Sequence, residues 1–168
     1  MAQTNIYLKL GDIKGESLDE KYEEWIEIDT VAWRADNKAS YKIGDPGKAK
    51  GGKSQAEISN ITVTKPCDLS SVTLMQNCVL GSGIAKGTIS FLKLDGETRV
   101  EYFKIELKKI MVSSVAYTGA GATEDLKETI ELKFTEFKET YKLQRNDTGL
   151  AGGYVPFGWW DNETHKLT

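Results

Sequence analysis

Histidine is almost missing from this chain. His165 stands alone among 168 residues. One histidine near the far end leaves no Ser-His-Asp or Cys-His arrangement and weakens any metal-binding reading. Cysteine is nearly as scarce. Cys67 and Cys78 match no zinc or redox spacing. They read as free thiols, Cys78 in the apolar stretch "LMQNCVL", with a disulfide between them as the alternative. No run approaches eighteen apolar residues, so no helix is expected to span a membrane. The opening "MAQTNIYLKLGD" has no basic region followed by a long apolar one, and no cleaved signal is expected there. Excess positive charge is lacking too. A net charge of -3 and a pI near 5.3 argue against nucleic acid as the main partner.

What is present is mostly strand. "NIYLKL" alternates Ile6, Leu8 and Leu10 against Tyr7 and Lys9, a period-two strand with one buried face. "WIEIDTVAW", Trp25 to Trp33, reads as a second strand. "ISNITVTKP" resumes the alternation through Ile61 and Val63, and Pro66 ends it. Asp95-Gly96 signals a tight hairpin between Thr88–Leu94 and Thr98–Leu107. "KKIMVSSVAYT" prolongs the second of these strands, with a phase change between Leu107 and Ile110 that predicts a bulge or bend. "KETIELKFTEFKETYKLQ" adds another. The tail ends in an aromatic knot of Tyr154, Phe157, Trp159 and Trp160, expected to be anchored on this chain or on a neighbour.

One helix is expected, over about residues 70–80. Asp68, Ser70 or Ser71 could cap it, and Gly81 stops it. Leu69, Val72, Met75 and Val79 recur at helical spacing, so this stripe is expected to pack on a sheet. One stretch has no period. Residues 34–57 hold four glycines, one proline and five lysines. A loop of that length in a compact domain is usually functional or mobile, and here it reads as an arm.

Catalytic chemistry finds no foothold. "GKAKGGKS", Gly47 to Ser54, matches the string of a phosphate-binding loop. The context is wrong, because a strand-like segment follows where a long helix is required. The carboxylate pairs Glu23–Glu24 and Glu124–Asp125 read as solvated faces, since acid–base work needs two carboxyls in different environments across a cleft. No catalytic, cofactor-binding or metal-binding residue is assigned. Trp25, Trp33, Trp159 and Trp160 admit two readings, a sugar-binding platform or protein–protein packing.

Five stretches carry a resemblance: "IYLKLGDIKGES", "EEWIEIDTVAW", "GGKSQAEISNITVTKPCDLSSVTLMQNCVLGSG", "GETRVEYFKIELKKIMVSSV" and "YVPFGWW". In this order they cover nearly the whole chain, which resembles the haemolysin-coregulated protein family, Hcp, the inner tube protein of the type VI secretion system. The resemblance implies a compact β-barrel of two packed antiparallel sheets flanked by one α-helix, with a long extended loop, in one domain over residues 1–168. It implies a non-enzymatic tube subunit without cofactor. Such subunits form homohexameric rings that stack inside a contractile sheath and are driven with a spike protein into a target cell. Small effectors are implied as lumen cargo, and neither nucleic acid nor membrane insertion is implied. Assembly in the bacterial cytoplasm and release without a cleaved signal follow from the same likeness. The arm corresponds to the family's extended loop, so Asp45, Lys48, Lys50 and Lys53 are expected at contacts between subunits or rings. Arg34 is the candidate lumen-facing residue.

Overall fold

The computed structural model describes residues 5–38, 56–119, 121–122, 125–144 and 151–168. In chain order the strands and the helix are β1 (Ile6–Leu10), β2 (Ile26–Ile28), β3 (Thr30–Ala32), β4 (Ala35–Asn37), β5 (Ala56–Ile58), β6 (Ile61–Pro66), α1 (Ser70–Leu80), β7 (Gly83–Asp95), β8 (Thr98–Thr118), β9 (Lys127–Gln144), β10 (Ala151–Asp161) and β11 (Lys166–Leu167). Every pairing described is antiparallel.

The expected barrel does not form. The main sheet runs β11-β10-β9-β8-β7-β1-β2, with β6 branching from β9 and β3 pairing β6. Among the described residues its two ends do not pair. The expected single strand Trp25–Trp33 is interrupted at Asp29, leaving β2 on β1 and β3 on β6. One backbone bond, from the Asp29 N–H to the Thr64 carbonyl, spans the step at 2.8 Å. Chain continuity rather than a hydrogen-bonded ladder joins the two regions, so no sheet is closed. The second sheet is only the ribbon β4–β5.

The long strands bend together. The buried positions change phase between Ile84 and Ile89 on β7, Leu107 and Ile110 on β8, and Phe134 and Phe137 on β9. These positions are ladder neighbours, for Ile84 pairs Ile110, Ile110 pairs Phe134, and Leu107 pairs Phe137. The phase change expected on β8 therefore coincides with Lys109 in the left-handed region at φ 53°. A Cβ on Gly87 would come within 2.7 Å of Ile110 Cδ1, so the glycine permits the close approach at the bend. The concave side holds one core, built from Leu8, Leu10, Ile26, Ile28, Ile61, Val63, Ile89, Ile105, Leu107, Val112, Ile130 and Leu132 among others.

A smaller cluster lies on the other face. Tyr7, expected on the open side of β1, is fully buried there with Tyr22 and Leu92. The segment 11–25 folds over it. Gly15 passes so close to β2 that a Cβ would stand 2.4 Å from the Trp25 carbonyl oxygen. Tyr7 and Tyr22 stack at 4.8 Å, and Trp25 meets Tyr22 edge-on at 5.0 Å. The Tyr22 hydroxyl donates to Glu101 Oε2 at 3.2 Å.

Burial, with the Glu101 carboxylate beside it, pushes the Tyr22 phenol up to about 12. An unfolded tyrosine ionises near pH 10. Between those values the unfolded chain has lost the proton that the native one keeps. The contribution of Tyr22 to stability is thus complete below pH 10 and declines as pH rises toward 12. Thermal unfolding at pH 8 and pH 11 of the parent and of Tyr22→Phe checks this. The parent is expected to lose more stability than the variant over that interval.

The hairpin expected at Asp95-Gly96 is present, displaced by one residue. Asp95 pairs Thr98, so Gly96 and Glu97 form the turn, with Gly96 at φ 63°. The helix spans 70–80 as expected, and Gly81 ends it at φ 63° with its N–H on the Cys78 carbonyl. Its N-cap is Leu69. Asp68 acts one position earlier, its Oδ1 accepting the Ser70 N–H at 2.9 Å.

The stripe expected to pack on the sheet does so only in part: Leu74, beside it, is fully buried, Cys78 packs against the core and Met75 is half-buried. Ser70, Ser71 and Leu74 face inward, whereas Leu69, Val72, Val79 and Leu80 stand 61%, 76%, 76% and 67% exposed. An ionic cluster explains the difference. Lys65 lies fully buried beneath the first turn of α1. Its Nζ contacts Glu128 Oε2, Asp68 Oδ1 at 2.8 Å, the Pro66 carbonyl at 2.9 Å and Ser71 Oγ at 3.3 Å. One cation between two carboxylates leaves a net negative charge beside the positive end of the helix dipole. Serines fit that polar floor and valines do not.

Candidate functional site

The site expected from the sequence lies around residues 34–57, and the structure shows its root. β4 and β5 form an antiparallel ribbon with Ala35 opposite Ile58, Asp36 opposite Glu57 and Asn37 opposite Ala56. All three residues of β4 are exposed. Lys38 and Glu57 bridge the ribbon at 2.7 Å. Its base is clamped by Arg34. The Arg34 N–H donates to Ser59 Oγ at 2.8 Å, and its carbonyl accepts the Ser59 N–H at 2.9 Å. The Arg34 guanidinium is exposed and meets Asp36 at 2.7 Å. Asp45, Lys48, Lys50 and Lys53 lie outside the described residues. The aperiodic reading of 34–57 missed the ribbon, because Ala-Asp-Asn and Ala-Glu-Ile are weak strand formers that only their mutual pairing turns into β structure.

Beneath the ribbon an apolar groove of about 390 Å³ is lined by Trp33, Ala35, Ala56, Ile58, Phe137, Glu139, Phe157 and Trp160. Glu139 Oε1 accepts the Trp33 Nε1–H at 3.2 Å. Phe157 stacks on Phe137 at 5.5 Å. A more polar groove of about 660 Å³ continues on the far side of the ribbon, where Lys38, Glu57, Lys133, Asn162 and His165 contribute. The aromatic tail is thereby anchored on its own sheet, through β10 against β9.

The four tryptophans do not assemble. Trp25 belongs to the small cluster, Trp33 packs near Phe91 and Phe103, and Trp159 lies under Lys108 Nζ at 3.7 Å. Trp33 and Trp160 share a groove. His165 is held in the turn before β11, its N–H on the Asp161 carbonyl and its ring edge-on to Trp160. Cys67 and Cys78 are free thiols, Cys67 exposed and Cys78 half-buried. Among the described residues no three His, Cys, Asp or Glu side chains gather as metal ligands. Among the described residues two carboxylates, both half-buried, are lowered. Glu136 is held down by its bond from Lys108, and Asp161 by the Thr164 and Glu163 N–H groups in its turn.

The buried Lys65–Glu128 pair was missed at the level of sequence, though a signal existed. Lys65 continues the buried phase of Ile61 and Val63, and Glu128 that of Ile130 and Leu132. Two opposite charges in core phase on separate strands are what a cross-strand ion pair requires, and Lys65 and Glu128 are direct ladder partners.

An open antiparallel sheet with one flanking helix and an exposed ribbon defines a mainly β protein. Comparison with known proteins narrows the class. A family described as "Type VI secretion system effector, Hcp" matches residues 7–141, and the chain belongs to this Hcp family of type VI secretion tube proteins. Protein Hcp1 of Pseudomonas aeruginosa is 32% identical over 155 residues, covering 92% of this chain and 93% of the relative. A solved type six secretion system protein is 29% identical with a TM-score of 0.86, covering 99% of this chain and 100% of that one. Hcp1 of Salmonella typhimurium is 25% identical with a TM-score of 0.77, covering 97% of each chain.

Proposed function

We propose that this protein is a non-enzymatic structural subunit that closes into hexameric rings, which stack into a tube inside a contractile sheath. Membership of the Hcp family carries this reading. Residues 1–168 act as one unit. The rings assemble in the bacterial cytoplasm and leave with the spike protein, without a cleaved signal, for the medium or the target cell. Small effectors travel in the lumen. The exposed ribbon at its root supports the role of 34–57 as an intersubunit arm. Asp45, Lys48, Lys50 and Lys53 make its contacts, and Arg34 faces the lumen.

Closed rings need heterologous contacts, in which two different surfaces of the chain meet around an axis. Light scattering coupled to size exclusion, with negative-stain images, is expected to find six-membered rings. Monomer alone across micromolar concentrations would sink the proposal. Deleting residues 49–53 is expected to preserve the far-ultraviolet dichroism while shifting the sedimentation profile toward smaller species. Unfolding on deletion, or unchanged rings and tubes, would each contradict an intermolecular role for the arm.

A further inference from the structure

In two places this chain holds a cation between an aromatic ring and a carboxylate. Arg99 lies over the Tyr7 ring at 5.6 Å and meets Asp19 at 3.3 Å. Lys108 stands over the Trp159 ring at 3.7 Å and reaches Glu136 at 3.2 Å. The negative face of a ring attracts the cation, and the carboxylate beside it supplies the counter-charge.

The groove beneath the ribbon is built from the same two parts. Trp33, Phe137, Phe157 and Trp160 wall it, and Glu139 is its charged lining residue. Glu139 is half-buried, and its Oε1 accepts the Trp33 Nε1–H. That bond holds the carboxylate against the aromatic wall and leaves Oε2 for a second partner. Among the described residues no lysine or arginine pairs with Glu139, and none stands over the groove's rings. Cations on the neighbouring elements serve other carboxylates. Arg34 meets Asp36, Lys38 meets Glu57, and Lys108 and Lys109 share Glu136. A carboxylate taken partly out of water is costly unless a cation meets it. An apolar occupant would bury Glu139 unpaired, and an anionic one would meet like charge.

We propose that this groove receives the side chain of a lysine or arginine on a partner protein, with Glu139 as its counter-charge and the ring faces around the cation and its stem. The long aliphatic stems of these residues suit the apolar walls at Ile58 and Phe157. Phe157 and Val155, both on β10, are 40% and 55% exposed, so the partner's backbone has apolar surface to cover. A small amine would leave that surface in water. The site asks for one basic side chain and does not depend on ring closure.

The test uses the full chain labelled with 5-fluorotryptophan and read by fluorine NMR. The probes are Gly-Gly-Lys-Gly-Gly, Gly-Gly-Arg-Gly-Gly and the same peptide with norleucine, which keeps an aliphatic stem without the charge. The two cationic peptides are expected to shift the Trp33 and Trp160 resonances, assigned by replacing each tryptophan with phenylalanine. The norleucine peptide is expected to leave both in place. Glu139→Gln keeps an acceptor for Trp33 and removes the charge. It is expected to weaken the cationic peptides about tenfold, the lower range for a hydrogen bond to a charged group. If circular dichroism shows Glu139→Gln unfolded, Phe157→Leu replaces it, with an expected weakening of about threefold from the lost ring face. A parent that neither cationic peptide shifts overturns the inference. So does norleucine binding as well as lysine, or unchanged binding in the folded variant. n-Butylammonium binding as tightly as the lysine peptide would assign the groove to a small amine and overturn the protein partner.

Discussion

Glu128→Ala is expected to cost about 1.5–3 kcal/mol of stability, the usual worth of a hydrogen bond to a charged group, because Lys65 keeps Asp68 as its counter-charge. Lys65 is wholly buried, and Glu128 is fully buried with it on the neighbouring strand. Without Glu128 the ammonium group keeps Asp68, Ser71 and the Pro66 carbonyl but loses its cross-strand carboxylate. The damage reaches α1, whose first turn rests on this cluster through Ser71 and Asp68. The double variant Lys65→Met with Glu128→Leu removes the two fully buried charges and leaves Asp68 held by the Ser70 N–H and hydroxyl. It is expected to be closer to the parent than Glu128→Ala, because apolar side chains of similar volume often replace a buried pair at little cost. Urea unfolding at matched protein concentration measures both, since assembly itself shifts apparent stability. A loss below about 1 kcal/mol for Glu128→Ala would show that water reaches Lys65.

Leu132→Ala is expected to lose about 2–5 kcal/mol through the cavity it leaves. Leu132 is fully buried on β9, opposite Val112 on one side and Ile61 on the other. It therefore lies where the main sheet path and the β6 branch share a strand. Both neighbours are held by ladders on their own strands, which restricts collapse into the space. Val72→Ala makes the contrast, because that side chain is 76% exposed on α1. Its effect on the stability of the separate subunit is expected to stay within about 0.5 kcal/mol. Denaturant midpoints at constant slope distinguish the two cases. Equal losses would mean that α1 packs through Val72.

The parts legible in advance were those written in local chemistry. Ile61 and Val63 alternate because a strand exposes alternate sides, and they are buried as alternation requires. Gly81 ends the helix because a left-handed residue is needed there. The hairpin at Asp95 to Thr98 follows from Gly96 taking positive φ. The phase slip after Leu107 announced the bend, although only the ladder showed β7 and β9 bending with it. The candidate site was legible as a segment and not as a surface. Residues 34–57 were recognisable by their broken periodicity, yet the clamp between Arg34 and Ser59 joins positions whose sequence context says nothing of each other.

The same division explains the open sheet and the orientation of α1. Strand content was readable from residues 25–33, but whether they make one strand or two depends on the partners either side of Asp29, β1 and β6. That choice left the sheet open. The helical period of 69–80 was readable too, while its orientation was not. A 3.6-residue period defines an apolar face without naming what it meets. The sequence by itself determined the long strands, the helix with its stop at Gly81, the glycine of the hairpin turn at Gly96, and the family to which the chain belongs. Tertiary structure decided which face of α1 turned inward, because a buried Lys65 needed carboxylates and serines around it. Burial of charge is settled by three-dimensional neighbours, and Lys65 and Glu128 stand sixty-three residues apart.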